Sequence, residues 1–281
     1  MVHSLSTPKL AVIMTCFNRK DITFRCLNNL FNFYKDIDVY LVDDQSTDGT
    51  SELVSKYYPQ VKIILSNGNL FWSRGMHLAW SYAIKKKYDF FLWLNDDVII
   101  YPNCFKEILE CSMLVFNKAI ITGILESHDK SEILYGGYNS NNSQIIPNGL
   151  MQNVIKMNGN VVLVPQYVFS ILGNIDPVYH HDLGDVDYSL RANSKGINVI
   201  STRVVVGSCE SNELCRVRLS GVTVVKRFKR LYSPLGGSPF INFYFRRKHF
   251  GILNALLYFF YLHILNFLPD SLNKLIFKNK Y

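Results

Sequence analysis

The sequence predicts an α/β chain built on a doubly wound, mostly parallel sheet. Three observations predict it. Short apolar runs suited to buried strands alternate with stretches of helical period across residues 10–100. The strand candidates end in polar, acid-rich turns, and open α/β sheets bind ligands outside the carboxyl ends of their strands. A hydrophobic content of 48% is enough to cover both faces of a sheet.

Leu10–Thr15 reads as the first strand, followed by the polar turn Cys16-Phe17-Asn18-Arg19-Lys20. Asp21 is placed to cap a helix whose apolar stripe is Cys26, Leu27, Leu30, Phe31 and Tyr34. The second strand, Val39–Val42, runs into Asp43-Asp44-Gln45-Ser46-Thr47-Asp48-Gly49-Thr50. A helix from Thr50 to Tyr58 follows, closed by Pro59, and Val61–Leu65 is the third strand. The loop Ser66–Arg74 leads to a helix with Met76, Ala79, Trp80, Ala83 and Ile84 on one face.

The fourth strand, Phe90–Leu94, meets Asn95-Asp96-Asp97 before the chain turns apolar again through Ile100. Ionised aspartates are rarely buried without a partner, so Asp96 and Asp97 belong where the strand leaves the sheet. Adjacent carboxylates there suit a hard divalent cation, and a cation suits a diphosphate. An Asx turn closing the strand accounts for the segment equally well. In a parallel sheet Thr15–Arg19, Asp43–Asp48 and Asn95–Asp97 share one edge, across which a nucleotide can lie. Neither a P-loop nor a G-x-G-x-x-G fingerprint is present, which argues against Walker-type ATPases and Rossmann dehydrogenases.

Thirty Lys and Arg against 22 Asp and Glu leave a net charge of +8. That balance favours anionic partners (nucleotides, nucleic acid or an acidic membrane surface) without choosing among them. The six cysteines show no C-x-x-C pair, as expected of inert thiols in a reducing compartment. Leu10–Phe17, the first apolar run, lacks a charged leader or cleavage site, so the cytoplasm is the expectation.

Val42-Asp43-Asp44-Gln45-Ser46-Thr47-Asp48-Gly49-Thr50, after Ala11-Val12-Ile13-Met14-Thr15-Cys16-Phe17-Asn18-Arg19, resembles the start of a family 2 glycosyltransferase with the GT-A fold. Asn95-Asp96-Asp97 falls where that family carries a D-x-D metal motif. Asn69, Phe71, His77 and Ala79 match the spacing of paired N-x-G patterns, of which the first Asn alone is kept. Further on, Gly159–Val164 reads as a strand, and Pro165 opens a short helix ending at Gly173. His180-His181-Asp182-Leu183-Gly184-Asp185-Val186-Asp187-Tyr188-Ser189-Leu190-Arg191 is similar to the family's E-D-x-D-x-x-x-R segment, with Gly184 for the usual Glu.

The resemblance implies a GT-A domain over residues 1–210, with a Rossmann-like nucleotide-sugar half at 9–100 and an acceptor half at 101–210. It implies inverting transfer of a sugar from a nucleotide donor, a UDP- or dTDP-sugar first, to a glycan or lipid-linked acceptor of surface polysaccharide, O-antigen or lipopolysaccharide. Asp97 would bind Mn²⁺ or Mg²⁺, with Asp96 at the metal or the ribose. Asp43 and Asp44 would meet base and ribose, Thr15 and Phe17 would line the base pocket, and Asn69 would belong to the donor pocket. Arg74 would either approach the diphosphate or be a surface arginine ahead of a helix. Asp185 would be the catalytic base, although an Asp ahead of Val186–Asn193 also suits a helix N-cap; Asp187 reads as structural. Many relatives hold the metal with a further His, which Val204–Glu210 lacks, leaving either Cys209 or Glu210 as a substitute, or a metal that relies on Asp97, phosphates and water.

Residues 211–281 form a basic, aromatic tail in which Phe250–Leu268 could just cross a bilayer core of about 30 Å. His263, Asn266, Asp270 and Asn273 would gather on one helical face, which favours a helix lying in the interface of an anionic membrane. A helix packed on its own domain and a spanning helix are the alternatives. The expected location is the cytoplasmic face of the cytoplasmic membrane. Two other functions fit less of the chain. A nucleotidyltransferase would want a Gly-bearing loop after the first strand, and Thr15–Lys20 has no Gly. A non-enzymatic RNA- or membrane-binding protein would fit the charge, but no RNA-recognition or zinc-finger signature is present, and nucleic acid is not an expected partner.

Overall fold

The structure, a computed structural model, describes residues 8–211 and 217–277. It divides into two compact units, one of Met1–Pro177 with Gly184–Ser211, the other of Val178–Leu183 with Asn212–Tyr281.

The first unit opens with β1 (Leu10–Cys16), α1 (Lys20–Phe33), β2 (Asp38–Asp43), α2 (Thr50–Tyr57), β3 (Lys62–Leu65), α3 (Phe71–Ala83) and β4 (Phe90–Leu94). It continues through β5 (Ile99–Ile100), α4 (Cys104–Leu114), β6 (Ile120–Ser127), β7 (Ile133–Tyr135), β8 (Val161–Pro165), α5 (Gln166–Leu172), α6 (Gly184–Ser194) and β9 (Val199–Cys209). These strands make a nine-stranded sheet in the order β3-β2-β1-β4-β8-β6-β9-β5, with β7 on β6. Strands β3, β2, β1 and β4 are parallel, so the turns after β1, β2 and β4 leave by the same edge. β8 runs antiparallel between β4 and β6, which brings its start, at Gly159 and Asn160, to that edge as well. β6 and β9 are parallel again. This is a GT-A-like α/β fold.

Both faces of the sheet are covered, which is why its strands read as continuous apolar runs. On one face Val12, Met14, Leu41 and Leu92 pack with Cys26, Leu27 and Leu30 of α1. On the other, Ala11, Ile13, Val42, Phe91 and Trp93 pack with Met76, Ala79, Trp80 and Ala83 of α3 and Tyr188 of α6.

Three local expectations are corrected. Asp21 does not cap α1: the helix starts at Lys20 and its first N–H is taken by Asp48 Oδ2, 2.9 Å away on another loop. Nor is α3 preceded by a loop reaching Arg74. It begins at Phe71, because Asp44 accepts from the N–H groups of Leu70 and Phe71, both at 2.9 Å. The β2–α2 turn thus caps two helices it does not precede, and both ends are defined by residues distant in sequence. Ile84 lies beyond the end of α3 and is exposed.

The second unit holds α7 (Val224–Leu231), α8 (Pro239–Phe250), α9 (Ile252–Phe267) and α10 (Asp270–Phe277). α8 and α9 fold into a hairpin at Gly251, whose φ of +86° suits a residue without Cβ. Asp270 accepts from Arg218 (2.5 Å), Arg227 (2.7 Å) and the Gly221 N–H (2.8 Å). The expected solvent-facing polar face of the tail is a packing face instead. Asn266 is fully buried and donates to the carbonyls of Val217 (3.0 Å) and Leu262 (2.8 Å), and Asn273 is buried too. His263 bonds Tyr232 Oη at 2.7 Å. Asn266 and Asp270 turn inward to carbonyls and arginines that need partners. Among the described residues no helix is long and apolar enough to cross a membrane.

Candidate functional site

The turns after β1 and β2 are tied to each other. Ser46 Oγ accepts from the Asn18 N–H (2.9 Å), and Asn18 Oδ1 accepts from the Thr47 N–H (2.7 Å). Asp43 spends both oxygens inside this turn, on the Ser46 N–H (2.8 Å) and the Ser51 hydroxyl. Asp44 is also buried, and besides capping α3 it accepts from Ser66 Oγ at 2.6 Å. Thr15 is packed against α3 so closely that a Cβ on Gly75 would collide with it. Phe17, just past the end of β1, is 55% exposed. Asn69 is exposed in the approach to α3, with φ of +66°.

The first turn of α3 links the remaining pieces. Trp72 Nε1 donates to Asn95 Oδ1 at 2.7 Å, where β4 ends. Its ring fills the space a side chain on Gly159 would need. The Gly159 N–H in turn donates to Asp185 Oδ2 at 2.9 Å. Asp44, Asn95 and Asp185, far apart in sequence, are therefore joined through Phe71 and Trp72. Arg74 lies within the helix, half-buried, with Nε donating to the Pro177 carbonyl at 2.8 Å. His77 likewise anchors this stretch, through Nδ1 to the Ile175 carbonyl (2.6 Å).

At the end of β4 the two acids differ. Asp96 accepts from Arg19 Nη1 (2.9 Å) and Thr23 Oγ1 (3.0 Å). Burial pushes its carboxyl up to about 6, against the pull of Arg19 and with the push of Asp97. Asp97 meets Arg19 at 3.2 Å through Oδ2, while its Oδ1 is buried with no hydrogen-bond partner among the described residues. An orphaned carboxylate oxygen is costly unless something charged arrives to meet it. Among the described residues no three His, Cys, Asp or Glu side chains gather to hold a metal by themselves. A cation at Asp97 would have to bring further ligands with it. Burial, with the charges of Asp97 and Glu210, pushes the Cys209 thiol up to about 12, so it stays a neutral thiol at neutral pH.

Asp185 sits in the first turn of α6, one residue inside it rather than ahead of it. Oδ1 accepts from the Val186 N–H at 2.8 Å, so it does not cap N2 or N3 as an N-cap would. Burial raises its carboxyl above the ordinary value despite two backbone N–H bonds. Asp187 faces inward and pairs with Arg191 at 2.8 Å, which in turn holds the carbonyls of Leu172 and Asn174.

The glycosyl transferase family 2 model matches residues 11–158, more than half of the chain. The chain belongs to glycosyl transferase family 2. It is 25% identical over 193 residues to an uncharacterized glycosyltransferase of Rickettsia typhi, a match covering 65% of this chain and 58% of that protein's length. The structure of S. aureus TarS residues 1–349 resembles it in fold, with a TM-score of 0.54 and 13% identity over 97% of this chain and 75% of that one.

Two departures from the family 2 patterns can be placed on the structure. Phe71 stands where the first N-x-G has its glycine, and its φ of +57° keeps the left-handed backbone that glycine favours. Gly184 stands where the usual Glu does, and a Cβ there would lie 2.5 Å from Ser73 Oγ and 3.0 Å from Ser73 Cβ. Sequence reasoning assigned no role to Arg19, Thr23 or Trp72. Arg19 closes the first family segment and Trp72 lies inside the third, so their positions were the available signal.

Proposed function

We propose that this chain is an inverting glycosyltransferase. It would move a sugar from a nucleoside diphosphate donor, a UDP- or dTDP-sugar first, to a hydroxyl of a glycan or lipid-linked acceptor in surface polysaccharide or lipopolysaccharide synthesis. The observation that carries the reading is the relay through the first turn of α3, which ties Asp44, the end of β4 and Asp185 to one sheet edge. In this reading Phe17 offers its ring to the base, while Asp44 and Asn69 border the ribose. Arg74 and Asp96 belong to the same donor pocket, Arg74 holding its wall through Pro177 and Asp96 holding Arg19 in place. Thr15 and Asp43 shape the pocket from behind, as their contacts are with the protein.

Asp185 is the general base. Its carboxylate takes the proton of the acceptor hydroxyl as that oxygen bonds to the anomeric carbon, and the bond to the diphosphate breaks with the nucleotide leaving. A carboxyl raised by burial is a stronger base than a solvated one, and its two backbone N–H bonds hold it in a single orientation. Mn²⁺ or Mg²⁺, held by Asp97 with Asp96 beside it, would supply charge to stabilise the leaving diphosphate. Peripheral attachment to the cytoplasmic face of the membrane suits a lipid-linked acceptor.

The test is a thermal-shift panel of UDP-, dTDP-, GDP- and CMP-sugars, with and without Mn²⁺, on the parent and Asp97→Ala. One nucleotide family should stabilise the parent with Mn²⁺ present and fail to stabilise the variant. Equal, metal-independent stabilisation of both proteins would remove Asp97 from the metal.

A further inference from the structure

α9 is apolar on its exposed face as well as on the face that carries Ala255, Leu262 and Leu265. Its buried face carries Asn266, and its outward face carries Leu253, Leu257, Phe260, Ile264 and Phe267, each at least 59% exposed. Those five recur at alternating spacings of four and three, so they form one continuous stripe along the helix. Leu256 widens it, and Ile252 and Phe250 extend it toward the hairpin turn. Isolated exposed apolar side chains are ordinary, but a continuous row along sixteen residues marks a surface that something covers.

The surrounding charge identifies the cover. From Val217 to the end of the chain there are eleven Lys or Arg and one acid, Asp270, so the chain's net positive charge lies wholly in this segment. Asp270 is already engaged by Arg218 and Arg227. Lys226 and Lys229 are exposed on α7, which packs on α9 through Phe228 and Phe267, ring centroids 4.7 Å apart. Arg247 and Lys248 are exposed on α8. A second copy laid across the stripe would bring these cations against themselves, whereas an anionic lipid surface complements them. With its sixteen residues α9 is about 24 Å long, short of the roughly 30 Å hydrocarbon core, so it can lie in a bilayer surface but not cross it.

We propose that the outward face of α9, from Leu253 to Phe267, is a docking surface that inserts into the outer layer of an anionic membrane, with the cations of α7 and α8 on the headgroups. This deepens the peripheral attachment in the functional reading above. It uses no residue of the nucleotide site, so either can fail without the other.

The full chain is tested by flotation with vesicles of phosphatidylcholine alone or mixed with phosphatidylglycerol. The parent should float with the mixed vesicles, in a salt-sensitive way, and not with phosphatidylcholine alone. L257S/F260S/I264S should lose about tenfold or more of that partition, with its thermal transition and nucleotide-induced shift unchanged because the side chains are exposed. K226Q/K229Q should weaken binding to mixed vesicles and reduce its salt dependence. Flotation of the triple variant at the parental level overturns the proposal. So does a parent that ignores vesicles and sediments as a dimer which the triple variant converts to monomer, since a second copy then covers the stripe.

Discussion

The guanidinium of Arg19 closes on the carboxylate of Asp96 at 2.9 Å, and the same nitrogen reaches Asp97 at 3.2 Å. One guanidinium nitrogen therefore bridges two adjacent acids that are 5% and 6% exposed. Arg19 also sits at the start of α1, so the pair is held by the turn that follows β1.

Removing that cation leaves two buried carboxylates facing each other. For Arg19→Met the expected cost is about 2 kcal/mol at alkaline pH, discounted from a fully buried pair because Arg19 is partly exposed. An acid whose folded pKa is raised keeps a proton that the unfolded chain has released, so stability falls as pH rises between the two values. Asp96 stands at about 6 in the parent fold, raised by burial with Arg19 pulling it down, and higher without Arg19, so the variant's deficit should shrink as pH falls through the window just above that value. Urea denaturation on both sides of it checks the expectation. A deficit independent of pH would mean that lost packing, not charge, is responsible.

Asp185→Asn keeps the shape of the side chain and removes the proposed base. Sugar transfer should fall by about two to four orders of magnitude, while nucleotide-induced thermal shifts stay parental. In the parent the base works only when deprotonated, so kcat/KM should rise with pH through a value above the ordinary carboxylate range, the direction in which burial moves Asp185. An acid limb at or below the ordinary value would assign the base elsewhere.

Trp72→Phe keeps an aromatic ring against Gly159 but deletes the donor to Asn95 Oδ1. A loss of about 1–2 kcal/mol in stability follows from the unpaired acceptor. Because Trp72 positions the end of β4 relative to Gly159 and Asp185, kcat should drop more than the affinity for the donor. Steady-state kinetics with the donor varied separate the two, and a change confined to KM would reduce Trp72 to a pocket wall.

Gly184→Ala should destabilise the protein by about 1–3 kcal/mol, since its Cβ would press on Ser73. Ser73→Gly in the same background should recover part of that loss, read as a coupling energy in a double-mutant cycle of denaturation. Additive effects would show that the crowding lies elsewhere.

The parallel half of the fold and the acid turns at its edge were legible because they are local. An apolar run flanked by turn residues dictates a buried strand, and alternation with helices dictates which loops share an edge. Composition likewise marked the tail as basic and apolar. What only the tertiary structure decided is which partner each polar group takes. Asp44 and Asp48 cap helices other than their own, Asp96 and Asp97 share Arg19, and Trp72 bridges Asn95 to Gly159. The inward turn of Asn266 belongs with these, because it answers a carbonyl at Val217. Such pairings depend on distances between segments remote in sequence, and a buried polar group pairs with whatever the fold brings beside it.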